Sequence, residues 1–163
     1  MPEKKTTERA AKDKREGKAP STQAGEYVHE EMDHIREGKH GAKSTKQAIA
    51  IGLSKARRAG VKLPAPKKAS AATRHKAEQD SAAGKSGKKS VSRTRSKATS
   101  EALKKEGHSA ASPQALSKQA KSAAAKRTAS SRSASARKAV KTKGAEGRSA
   151  AARKAARTRA KEG

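Results

Sequence analysis

The amino-acid sequence predicts a mostly disordered chain with α-helical elements, in which a short N-terminal helical hairpin precedes a low-complexity basic tail. Three observations carry this expectation. The 163 residues include 42 Lys or Arg against 15 Asp or Glu, a formal net charge of +27. They include no Phe, Trp or Cys, and Tyr27 is the sole aromatic residue. Beyond Leu63 the only large aliphatic side chains are Val91, Leu103, Leu116 and Val140. Low hydrophobicity with high net charge marks a chain that cannot offset its conformational entropy by burial. The aromatic rings that supply much of an ordinary core are missing.

Residues 1–20, "MPEKKTTERAAKDKREGKAP", are expected to form a charged, disordered N-terminus. They contain no apolar h-region, so no secretory signal is read there. Charge changes sharply along the chain. Residues 1–37 hold nine of the acidic side chains beside eight Lys or Arg, whereas the remainder holds 34 cations and six anions.

Residues 21–63 are expected to form a helical hairpin. Val28, Met32 and Ile35 fall at i, i+4 and i+7, one helical face. Ser21 or Thr22 can cap its start, and Gly38 suits the left-handed position past its end. Ser44-Thr45-Lys46-Gln47 reads as a capping box opening a second helix. Ile49, Leu53 and Ala56 then share a face, and Gly60 stops the helix. Met32 and Ile35 should pack on Ile49 and Leu53, with Ile51 pointing away. So few apolar groups predict a marginal hairpin, supported by self-association or by a bound polyanion.

Residues 64–163 read as an Ala/Ser/Lys/Arg-rich disordered tail with nascent helices. Ser112 followed by Pro113 marks one helix start, with Leu116, Ala120 and Ala123 on one face. "ARKAVKTKGAEG" (136–147) recurs as "ARKAARTRAKEG" (152–163), a sixteen-residue period. Alanine favours helix, while repulsion between like charges at i, i+3 and i+4 opposes it. The tail is therefore expected to become helical when phosphates neutralise it.

Catalytic and metal motifs fail on spacing. A nucleotide-binding loop needs G-x-x-x-x-G-K-[ST] after a strand. In "EGKHGAKS", Ala42 stands where the second glycine belongs, and a charged helix precedes it. In "GKSGKKS" the first glycine is replaced by Gln79. His29 and His34 in "HEEMDH" are five residues apart, about 140° around a helix, so they do not form H-E-x-x-H. No catalytic residue, metal site or cofactor is expected, and no enzyme. No apolar run is long enough to cross a bilayer.

What remains is a polycation. The candidate nucleic-acid-binding residues are Lys39, Lys43, Lys46, Arg57, Arg58, Lys62, Lys67, Lys68, Lys88, Lys89, Arg93, Arg95, Lys126, Arg127, Arg137, Lys138, Lys141, Lys143, Arg153, Lys154, Arg157 and Arg159. Few aromatic or amide side chains stand among them to stack on or read bases, which favours binding to the phosphate backbone with little sequence preference. The amides of Thr45 to Gln47, flanked by Lys39, Lys43 and Lys46, offer a seat for one backbone phosphate; a capped helix with solvated lysines is the plainer alternative.

Roughly the first 65 residues, most specifically "EGKHGAKSTKQAIAIGLSKARRAG", resemble a small bacterial family of uncharacterised basic proteins. The tail resembles the lysine- and alanine-rich tails of histone H1 and of bacterial histone-like proteins. That resemblance implies DNA compaction, nucleoid association and a bacterial cytoplasm. The expected function is that of a histone-like protein that neutralises duplex DNA. The alternatives are an RNA-binding or ribosome-associated protein, and a tether between DNA and a granule or membrane surface that would use Ile51 and Tyr27 as exposed apolar contacts.

Overall fold

The structure, a computed structural model, describes residues 2–65, 69–86 and 92–162, the side chains of residues 142, 143, 161 and 162 excepted. The expectation of a mostly disordered chain is overturned. Among the described residues, seven α-helices and one 3-10 turn run from end to end. They fall into two units, Met1–Gln119 and Ala120–Gly163.

The first unit opens with α1 (Lys4–Arg15), where the sequence predicts disorder. Its charges are arranged for a helix: Lys4 with Glu8 and Lys12 with Glu16 stand at i, i+4. Thr6, Ala10 and Asp13 form the stripe it buries. That stripe packs on α2 (Pro20–Arg36), and Arg9 Nε meets Glu26 Oε2 at 2.7 Å.

The caps read from the sequence place the start of α2 two or three residues late. Pro20 occupies its first turn, and Ala19 stands at the cap with no side-chain bond, so neither Ser21 nor Thr22 caps it. Its end is as expected. Gly38 adopts φ 76°, the Gly38 amide donates to the Ile35 carbonyl, and the Lys39 amide donates to the His34 carbonyl. This pair of bonds closes the helix and returns the chain.

α3 (Thr45–Arg58) is capped by Ser44, whose Oγ accepts from the Gln47 amide at 3.2 Å. The reciprocal half of the capping box slips by one residue, because Gln47 Oε1 accepts from the Lys43 amide. Thr45, Ala48, Gly52 and Ala56 make a buried stripe of small side chains. A Cβ on Gly52 would lie 2.7 Å from Val28 Cα, so α2 and α3 meet at backbone distance.

Two apolar clusters result. Met32, Ile35, Ala42, Ala48, Ala110 and Ala111 form one, with Val28, Ile49 and Leu116 against it. Ala10, Ala24, Tyr27, Ala56 and Val61 form the other, with Leu53 and Leu63. Ile49 thus joins Met32 and Ile35 as expected, while Leu53 packs with Tyr27 instead. Next come α4 (Ala71–Lys85), which packs on α3, then α5 (Arg93–Lys104) and the 3-10 turn Ser109–Ala111, which packs on α2 and α3. α6 (Pro113–Ala125) follows, capped by Ser112 Oγ on the Ala115 amide as predicted.

The second unit is mainly α7 (Ala129–Glu162), interrupted at Gly144 by a non-helical backbone, φ 65° and ψ −178°. Arg148 Nε donates to the Gly144 carbonyl across the break.

Two physical causes favour helix over disorder in this chain. In the first unit, alanine and glycine stripes let helices approach closely enough that aromatic volume is unnecessary, and the acidic residues pair with cations instead of adding to a uniform field. In α7, each like-charge i, i+4 pair costs only about 0.2–0.5 kcal/mol, which alanine's helix preference offsets. No described helix is long and apolar enough to cross a membrane.

Candidate nucleic-acid interface

The candidate cations divide by what holds them. Lys39 is engaged by Glu37 Oε2 at 2.9 Å and Glu3 Oε1 at 3.2 Å. Those hydrogen bonds, Glu37 first, raise its pKa above the usual lysine value. Arg57 is buried, with Nε donating to the Leu63 carbonyl and Nη2 to the Pro64 carbonyl. It ties the segment after α3 back onto the helix. Arg58 Nε donates to Asp80 Oδ1 at 2.8 Å. These three serve the first unit's own architecture.

Lys43, Lys46 and Lys62 are exposed, as are Arg93 and Arg95 on the first turn of α5. The phosphate seat at the start of α3 is filled by the chain itself at two of its groups, the Gln47 amide and Lys39. The Gln47 amide is taken by Ser44 Oγ, Lys39 is held by glutamates, and the Gly41 and Ala42 amides donate to the carbonyls of Leu103 and Gly107. "GKHGAKS" is a turn, a cap and a docking loop. Lys67, Lys68, Lys88 and Lys89 lie outside the described residues, as does the side chain of Lys143.

The second unit presents a different surface. Lys126 and Arg127 precede α7, and Arg127 Nη2 donates to the Ser131 carbonyl at 2.8 Å and to Ser135 Oγ. Further along α7, Arg137, Lys138 and Lys141 are exposed at i, i+1 and i+4. Sixteen residues later Arg153, Lys154 and Arg157 repeat that spacing, again exposed. Each set spans about 100° of helix surface, one cationic face. Arg159 is exposed on another side of the same helix. Ala150 joins Arg153, Lys154 and Arg157 in lining a shallow concavity. Among the described residues, none of these last three makes an ion pair.

The sequence period marks the repeat, but only the helix turns it into two matched faces separated by Gly144. Arg132 and Arg148, absent from the expected set, occupy equivalent positions in the two segments. Of the apolar contacts expected of a tether, Tyr27 is 2 % exposed and Ile51 is half-buried, while Val140 is the exposed large hydrophobic residue among those described.

Residues 17–68 match the model of a family of unknown function, DUF6496. The match covers less than half of the chain, centred on α2 and α3, and agrees with the resemblance read in the first 65 residues. No curated protein and no solved structure matches the chain.

Proposed function

We propose that the protein is a histone-like, nucleoid-associated protein that binds duplex DNA through its phosphates, without catalytic activity and largely without sequence preference. The observation that carries this reading is the duplicated cationic face of α7: Arg137, Lys138 and Lys141, then Arg153, Lys154 and Arg157, all exposed. Cations in excess of local acids draw in polyanions and release their counterions on contact. Residues 120–163 contain no aromatic, Asn or Gln side chain, which leaves backbone contact as the main mode. The first unit, whose cations are partly spent on internal pairs, acts as a folded body attached to this arm. A bacterial cytoplasm fits this reading.

Equilibrium binding of the full chain to duplex DNA and to structured RNA of equal length, over a salt series, tests it. Duplex DNA should bind at least as tightly as RNA, with log K falling linearly against log salt. Marked preference for the RNA would replace this reading with that of an RNA-binding protein.

A further inference from the structure

The first unit holds a donor cluster, one member buried and two half-buried, that the polycation reading does not use. Glu31, on α2, is 0 % exposed. Three residues along the helix stands His34, and the turn at Gly38 brings His40 back beside both. One carboxylate oxygen of Glu31 and one ring nitrogen of each histidine lie within 4.8 Å of one another. The histidine rings meet edge to face at 6.1 Å.

Hydrogen bonds define the state of these ligands. His40 Nδ1 lies 3.1 Å from the Gly41 carbonyl oxygen, which can only accept, so Nδ1 carries a hydrogen. In the neutral ring Nε2 is then a lone pair, and it faces Glu31 Oε1 at 3.4 Å. Glu31 Oε1 is buried and receives no hydrogen bond. Lys55 Nζ addresses the other oxygen, Oε2, at 2.5 Å, and stands 3.7 Å from Glu30 Oε1. A buried acceptor and a half-buried one thus face each other with no donor between them. A cation between them resolves the conflict.

The spacing suits a metal. Two ligand atoms on a tetrahedral ion, each about 2.0–2.1 Å from it, are about 3.3–3.4 Å apart. The second ring is braced as metal-bound histidines are: His34 Nε2 bonds Glu3 Oε1 at 2.9 Å, a carboxylate behind an imidazole. Glu3, Glu30, Glu31 and Glu37 outnumber Lys39 and Lys55 around the cluster, so added positive charge is accommodated.

We propose that Glu31, His34 and His40 bind one divalent transition-metal ion of the zinc class. Two imidazoles and a carboxylate form a donor set that suits Zn(II) and Co(II), with a fourth position left to water. The sequence carries the signal as Glu31-x-x-His34 followed by His40. It escapes a search for H-E-x-x-H because the third ligand comes from the turn. The bound ion would pin that turn, whose next residue, Gly41, docks on the end of α5.

The test uses the metals alone with the full chain. Co(II) titration should give visible d–d absorption of tetrahedral type, saturating at one equivalent and abolished by Zn(II). Glu31→Gln and His40→Gln should each weaken this binding at least about tenfold, while a His29→Gln/His75→Gln/His108→Gln variant should keep it. Because a buried variant can misfold, proton NMR of the unaltered protein gives an independent reading. One equivalent of Zn(II) should shift the ring resonances of His34 and His40 and leave those of His29, His75 and His108 in place. Absence of stoichiometric binding, or shifts confined to the other three histidines, overturns the proposal and leaves His40 and Glu31 as a direct side-chain contact.

Discussion

The Gly41 amide donates to the Leu103 carbonyl over 2.9 Å, which seats the loop between α2 and α3 on the C-terminal end of α5. Helix ends leave carbonyls unpartnered. Here the amides of Gly41 and Ala42 meet the carbonyls of Leu103 and Gly107. The contact admits no side chain, since a Cβ on Gly41 would lie 1.9 Å from the Glu106 carbonyl oxygen. Gly41→Ala should therefore destabilise the first unit by about 1–3 kcal/mol. Tyr27, the single aromatic residue, reports the unfolding by its fluorescence. An unchanged unfolding midpoint would mean that this loop does not dock.

Asp80 joins α4 to α3. Ser54 Oγ donates to one carboxylate oxygen at 2.7 Å, and Arg58 Nε donates to the other. Asp80→Ala leaves both donors without their acceptor and should cost about 1–3 kcal/mol at neutral pH.

The same carboxylate makes stability depend on pH. Burial pushes the Asp80 carboxyl up, but the Ser54 hydroxyl and the Arg58 guanidinium, with Lys76, together hold it below the usual carboxylate range. Its folded-state pKa is thus lower than its unfolded one. The stabilisation is complete above the unfolded value, about 3.9, and is lost as pH falls through the folded value. The stability gap between the wild type and Asp80→Asn should accordingly be constant near neutrality and narrow below about pH 4. A gap that persists unchanged in acid would contradict this.

Gly144 separates the two cationic faces of α7 with a backbone conformation, φ 65° and ψ −178°, that side chains disfavour. On an unbroken helix, residues sixteen apart stand about 160° around the axis, so the two faces would point almost opposite ways. The break releases the chain from that phase. Gly144→Ala should close it into continuous helix, favoured by about 1 kcal/mol of propensity, and raise the far-ultraviolet helical signal. Both faces could then no longer engage one short duplex, and the salt slope should fall by about 3 units. An unchanged slope alongside increased helicity would show that the break is not used in binding.

Much of the hairpin was legible because its signals are local. The i, i+4, i+7 spacing of Val28, Met32 and Ile35, the Ser44 cap and the glycine at 38 each act within one or two turns. α1 was not legible, since its buried stripe of Thr6, Ala10 and Asp13 contains one alanine and two polar residues. Its burial depends on partners distant in sequence, such as Tyr27 and Glu26. The same holds for Ala110 and Ala111, whose place in the core no pattern in "GHSAASP" announces. In the tail, composition identified the polycation, and the repeat located its period. The tail's helices stand because alanine propensity outweighs the charge repulsion along them. Arg57 shows the reverse: a cation in a basic run looks available until the carbonyls that hold it are in place.

The central claim is that the matched faces of α7 bind phosphate. The measurement that tests it most directly is duplex-DNA affinity across a salt series for three full-length proteins. These are the wild type, a variant with Arg153, Lys154 and Arg157 changed to Ala, and one that also carries Arg137→Ala, Lys138→Ala and Lys141→Ala. At about −0.9 per phosphate contact, each set removed should make the slope of log K against log salt shallower by about 3 units, to the same extent on unrelated sequences. Slopes and affinities unchanged in the six-fold variant would contradict the account and place the binding surface elsewhere.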